Sequence, residues 1–260
     1  MKKKLWIIIV AVLLLVLVGG YFGYKIYFVN YYDLSHLENY EKYKENFHIK
    51  DETFTITTIT LTEEEYFTYK NMKMRNIFDG YESKFDSDEF EHPHEEDSIW
   101  YVLNDKATGK GVAAIGMGRD NSFLESLKGG FVVMSEESRV GEIKDINEFL
   151  EKNNITNDIE LYKFLEKTLN KKHSIFDSVD DMKTLYALHL QNYIGNMNND
   201  GITLIDGDYE GYIINHNMSG VNIIECNVLK DSKRYVLTFN NTTYYTDDKI
   251  QDLLNTLVIE

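Results

Sequence analysis

Along most of this chain apolar and polar residues alternate with a readable period, but the first stretch has none. Positions 5–18 are almost all Leu, Ile, Val and Ala with one Trp, and no charge interrupts the run until Lys25. A helix built from it is apolar all round, which suits lipid and not water. At 1.5 Å per residue, about 20 such residues cover the roughly 30 Å of a bilayer's hydrocarbon core. The pattern therefore predicts a basic tip and transmembrane anchor over 1–29, and a separate domain over 30–260.

Helical spacing appears next at Leu34, Leu37, Tyr40, Tyr43 and Phe47, predicting a helix over 33–47, either a stalk or the first helix of the domain. Phe54 and Ile56 alternate, then Ile59 and Leu61 alternate in the other phase, which reads as a strand over 53–62 with a bulge at Thr57-Thr58. Thr62 with Glu65 three residues on is a capping-box pattern and predicts a helix over 63–78 ending near Gly80. SIWYVL (98–103) and VAAIGM (112–117) flank the turn-rich NDKATGKG and predict a hairpin. A short helix over 123–127 and a strand over 131–134 follow. Helical spacing then returns over 145–152, 157–169 and 177–194.

The end reads as a β-meander. Runs over 202–205, 209–215, 221–228 and 234–239 are separated by DGD, HNMSG and KDSK, and Thr246 opens a closing helix through Leu257. Strands and helices are mixed without strict alternation. The expected class is α+β with an antiparallel sheet, preceded by the transmembrane helix. The central helices mark possible sub-lobes at 50–140 and 141–260. The segment from Arg234 through Phe239 and the closing helix to Leu257 resembles the α/β/α sandwich of the PsbP family. The likeness covers about 60 residues without a specific motif. It implies binding or assembly work more than catalysis.

Charge orients the anchor. Lys2, Lys3 and Lys4 precede the run, whereas Lys25 alone follows it before Asp33, Glu38 and Glu41. Positive charge marks the cytoplasmic end, so the N-terminus is expected inside the cell membrane and the domain extracytoplasmic. Tyr21, Tyr24, Tyr27, Tyr31 and Tyr32 are expected as the outer aromatic belt. The rival reading is a cleaved signal peptide, with Gly19, Gly20 and Gly23 as its small residues; no A-x-A occurs there, and the run is long for a signal core.

The chain has 43 acidic against 27 basic residues, a net charge of −16. That is expected to repel nucleic acid and anionic lipid headgroups, and no basic patch overrides it, so nucleic-acid binding is excluded. The single cysteine, Cys226, rules out an intrachain disulfide and fits a bacterial exterior better than a secreted eukaryotic domain. The Asn-, Lys-, Ile- and Tyr-rich, Pro-poor composition resembles that of low-GC Gram-positive bacteria.

Candidate chemistry is sparse. DSDEFEHPHEED (86–97) concentrates acids around two histidines, and a divalent ion such as Zn²⁺ or Mn²⁺ would draw on His92, His94, Glu95 and Asp97. The plain alternative is a hydrated loop, since neighbouring acids on a loop point in different directions. Two segments loosely match a calcium loop, one at Asn196, Asn198, Asp200 and Gly201, the other at Asp206, Asp208, Glu210 and Gly211. Both lack the closing bidentate glutamate, having Gly207 and Asn217 there. Gly109, Gly111 and Ala114 form a G-x-G-x-x-A, but in a hairpin turn, where it cannot bind a dinucleotide. Cys226 is expected as an inert core thiol and His189 as a core histidine. His36, His48, His173 and His216 carry no pattern.

No catalytic residue and no cofactor is expected. The sequence leads to a membrane-anchored extracytoplasmic binding or accessory module for an envelope protein partner. The alternative is a tethered hydrolase or metal-dependent enzyme.

Overall fold

A computed structural model describes residues 2–37, 39–60, 66–77, 81–85, 98–129, 143, 146–196, 199–218, 221–240 and 243–260. The chain opens with helix α1 (Lys2–Tyr31), then a 3₁₀ turn (Leu34–His36) and α2 (Tyr40–Asn46). Strands β1 (Ile49–Ile56), β2 (Tyr66–Tyr69), β3 (Met72–Arg75), β4 (Tyr81–Phe85), β5 (Ser98–Asp105) and β6 (Gly111–Asn121) follow. Four helices come next: α3 (Phe123–Lys128), α4 (Ile146–Lys152), α5 (Asp158–Thr168) and α6 (Val179–Asn196). The meander is β7 (Asn199–Gly207), β8 (Glu210–Met218), β9 (Val221–Lys230) and β10 (Lys233–Asn240). Helix α7 (Asp247–Leu254) and a short β11 (Val258–Ile259) close the chain.

The fold class is α+β, with an apolar N-terminal helix, an antiparallel-dominated sheet and a closing helix. Eight strands form one sheet in the order β1-β7-β8-β9-β10-β6-β5-β4, so the strands before and after the four central helices share it. Among the described strands only β1 runs parallel to its neighbour, β7. A second sheet, β11-β3-β2, has three strands.

Strand alternation sorts side chains to the two faces of the large sheet. On one face Ile224, Cys226 and Val228 of β9 and Leu237 and Phe239 of β10 pack with Phe67, Met72 and Met74 of the small sheet and Leu253 and Leu254 of α7. On the other, Ile202 of β7 and Tyr212 and Ile214 of β8 pack against α2, α4, α5 and α6. Helix starts follow capping chemistry. Asn157 accepts from the Glu160 amide at 2.9 Å to open α5, Ser122 from Glu125 at 3.2 Å to open α3, and Thr246 from Lys249 at 3.4 Å to open α7.

Three expectations are corrected. The helix expected over 63–78 is instead the hairpin β2–β3. Phe67, Tyr69, Met72 and Met74 are buried with period 2, and Lys70, at φ +50°, makes the turn. Burial on one face outweighs the local capping signal, whose own residues lie outside the described part. The helix expected over 33–47 is broken, because Asn39 adopts a left-handed φ of 56° between the 3₁₀ turn and α2. The irregularity in β1 falls between Ile49 and Thr53, not at Thr57-Thr58, and the strand ends at Ile56. There Gly207, at φ +99°, lets the chain turn against β1: a Cβ would lie 2.2 Å from the Ile56 carbonyl oxygen. The strand expected over 131–134 lies outside the described residues.

Helix α1 is long and apolar enough over Trp6–Tyr31 to cross a membrane. Its large side chains from Trp6 to Val18 are exposed, but its last turns belong to the domain. Phe28, Val29 and Tyr31 pack against the helical core, and Tyr32, just beyond α1, stands 5.8 Å from Tyr186 of α6 between ring centroids. Tyr32 is a core residue, 4% exposed, and not part of an aromatic belt; Tyr21, Tyr24 and Tyr27 are exposed. Lys25 is 7% exposed, and its ammonium donates to the Asp177 carbonyl in the loop between α5 and α6.

Candidate binding face

The residues singled out for metal chemistry, His92, His94, Glu95 and Asp97, lie outside the described residues. Among the described residues no group of three His, Cys, Asp or Glu side chains could hold a metal ion. Of the calcium-like segments, Asn196 ends α6, Asn198 lies outside the described residues, and the remaining positions are strand and turn. Asp200 sits in β7 and pairs with Lys50 at 3.2 Å, while Asp208 in the β7–β8 turn accepts from the Thr58 amide at 2.6 Å. Gly109 shapes the β5–β6 turn, and Gly111 and Ala114 sit in β6, as expected of a hairpin. Cys226 is fully buried on the dry face of the sheet, and burial pushes its thiol pKa far up, so it is inert.

His189 is the core histidine expected, and its polar partners are complete. The Thr168 hydroxyl donates to the Phe164 carbonyl at 2.8 Å, so its oxygen is left to accept from His189 Nε2 at 3.0 Å. Nδ1 then accepts from the Tyr43 hydroxyl at 3.1 Å, whose oxygen accepts from Asn192 Nδ2 at 2.9 Å. Burial lowers the imidazole pKa to about 3, so the ring is neutral, as this tautomer requires.

A second polar cluster is not complete. The register of β8, β9, β10 and β6 sets Tyr212 opposite Asn227, Ile214 opposite Glu225, Leu229 opposite Arg234, and Arg234 opposite Asp120. Those positions share the face that carries the helices, so His216, Glu225, Asn227, Arg234 and Asp120 form a diagonal polar strip beyond the helices' edge. Asn227 Nδ2 donates to Glu225 Oε1 at 2.9 Å, His216 Nε2 stands 3.6 Å from Glu225 Oε2, and Arg234 reaches Asp120 at 3.4 Å. Burial alone would raise the Glu225 pKa; the contacts with His216 and Asn227 outweigh it and hold the carboxylate below its ordinary range. Burial also opposes the Arg234 charge, but Tyr212 and Glu225 hold the guanidinium firmly protonated.

Three atoms of this strip, Arg234 Nε, His216 Nε2 and Asn227 Oδ1, are buried without a hydrogen-bond partner among the described residues. Each such atom typically costs about 1–3 kcal/mol. The strip borders the helical core at Asp158, whose carboxylate caps α3 by accepting from the Phe123 and Leu124 amides at 2.9 and 2.8 Å. Next to the strip lies a hollow of about 220 Å³, lined by residues that include Ser98, Trp100, Gly116, Gly118, Arg234 and Thr238. The Trp100 indole overlies Gly116, where a Cβ would meet it at 3.1 Å and push the ring by a few tenths of an ångström. A second hollow of about 310 Å³ opens on the opposite face beside Lys50, Glu52, Asp247 and Asp248.

Sequence reasoning treated His216 as patternless and did not join it to Glu225, Asn227 and Asp120. A signal existed in NIIECNVL, where two polar residues alternate with buried ones in a central strand. No protein-family model matches the chain, and no curated protein matches it.

Proposed function

We propose that this is a single-pass protein of a bacterial cell membrane, with its N-terminus in the cytoplasm and its acidic α+β domain outside. There the domain binds an envelope protein partner through the open half of its sheet. The observation that carries this reading is the Trp100 hollow at the open edge of the polar strip. Arg234 and Asp120 line it and keep charged hydrogen-bonding groups accessible to a partner. The hollow is small for a metabolite, since ligand pockets usually span about 300–1,000 Å³. It matches one large side chain, the anchor that protein interfaces bury beside a polar rim. The apolar α1 and the basic residues before it support the membrane placement.

The test is photocrosslinking in cells, with a benzoyl-phenylalanine placed at Val236 in the hollow and, as control, at the exposed Lys106. One envelope protein captured from position 236 but not 106, and lost in an R234A background, is the expected result. No protein adduct from position 236 would sink the proposal.

The His216–Glu225 pair favours a second reading, a tethered hydrolase, because a histidine beside a carboxylate is acid–base equipment. In that case the purified full-length protein would hydrolyse a member of an ester and glycoside panel, and H216A would abolish the turnover.

A further inference from the structure

Phe176 is 86% exposed, more than any other large hydrophobic side chain outside or inside α1 among the described residues. It sits in the loop between α5 and α6, one residue from the carbonyl that receives the Lys25 ammonium. The loop is held in shape from within: Ser174 N donates to Asp177 Oδ2 at 2.9 Å, and Asp177 N to the Ser174 carbonyl at 3.1 Å. An apolar ring on a braced loop gains nothing from water.

The position of this loop along α1 is fixed by Lys25. Counting back from Tyr24 to Leu5 covers about 30 Å of uninterrupted apolar helix, which equals the hydrocarbon thickness of a bilayer. The hydrocarbon must therefore end near Lys25, at the level where the loop meets α1. The exposed Lys171 and Lys172 flank the same loop, and lysines beside an inserted aromatic favour anionic headgroups.

We infer that the α5–α6 loop is a second membrane contact, with Phe176 inserted among the lipid headgroups beside α1 and Lys171 and Lys172 over anionic phosphates. This rests on the reading that α1 crosses the bilayer. Two contacts on one rigid body fix the domain's tilt on the membrane, and with it the direction in which the polar strip faces.

The test uses full-length F176C protein in vesicles of phosphatidylethanolamine and phosphatidylglycerol, labelled with an environment-sensitive nitrobenzoxadiazole dye. Cys226 is buried and does not compete for the dye. The expected result is a blue-shifted emission that falls about two-fold or more when lipids carry a shallow spin label, independent of protein density. That quenching should weaken when phosphatidylglycerol is removed. Water-like emission in protein that resists carbonate extraction would overturn the loop contact and leave the anchor standing. A blue shift that grows with protein density and resists the spin label would mean that a second copy covers Phe176, and would overturn it too. Protein released by carbonate would overturn both the anchor and the contact.

Discussion

Two histidines in one domain show what a finished and an unfinished polar cluster look like. His189 is fully buried, and every nitrogen has a partner of the right kind. His216 is half-buried, 3.6 Å from a carboxylate, with Nε2 making no hydrogen bond among the described residues. The first cluster is bound into the helical core and has nothing left to offer a ligand. The second lies where the helices stop covering the sheet, with Arg234 and Asn227 similarly unsatisfied. Satisfied polar groups specify a fold, whereas unsatisfied ones at an opening specify an encounter.

Breaking the finished cluster should be the most damaging change. His189→Ala removes a buried ring and strands the Thr168 contact, so the full-length protein in detergent should lose about 3 kcal/mol in urea unfolding. A loss below about 1 kcal/mol would mean that the network is not structural.

Acid should attack the same place. The folded His189 pKa is about 3 against an ordinary 6.5, so between these values the unfolded chain holds more protons. The contribution is complete above about pH 6.5 and lost as pH falls toward 3, by up to about 1.4 kcal/mol per unit. Glu225, with its lowered pKa, contributes stability above its ordinary range that also fades in acid, as pH falls through its folded value. The pH slope of the unfolding midpoint should flatten most in H189A and less in H216A, where Glu225 loses one of the contacts that lower its pKa.

Smaller still, Tyr43→Phe should cost about 1–2 kcal/mol by leaving His189 Nδ1 a buried acceptor without its hydroxyl donor. A smaller loss is expected from His216→Ala, about 1 kcal/mol or less, because Glu225 keeps its Asn227 hydrogen bond when the 3.6 Å contact with His216 is removed. The same change should weaken partner capture from position 236 by about ten-fold, roughly 1.4 kcal/mol. Strong destabilisation with unchanged capture would reverse the roles assigned to the two clusters.

Legibility in the sequence tracked the range of the interaction. Helices α4, α5 and α6 were readable because Leu161, Leu165 and their neighbours repeat at the helical period, and the meander because turn residues punctuate it. The β2–β3 hairpin was missed because Phe67 and Met74 also fit a helical face; only pairing with β11 and burial under the large sheet decide for strands. The docking of Lys25 at Asp177 joins residues 152 positions apart, which no local window reports. The polar strip was hidden for the same reason, since strand register assembles it from four separate stretches.

The parallel pairing of β1 with β7 also sets a schedule. Its partners lie about 150 residues apart, as the Thr58–Asp208 contact beside it shows. At a synthesis rate of about 5–20 residues per second, β1 waits roughly 8–30 s for its neighbour to be made. During that wait Ile56 and Phe54 have no sheet to join, while Lys50, Asp51 and Glu52 keep the early strand soluble and poorly matched to other strands. The first strand of the large sheet to be made therefore waits longest for a neighbour, and a chaperone has most to do in that interval.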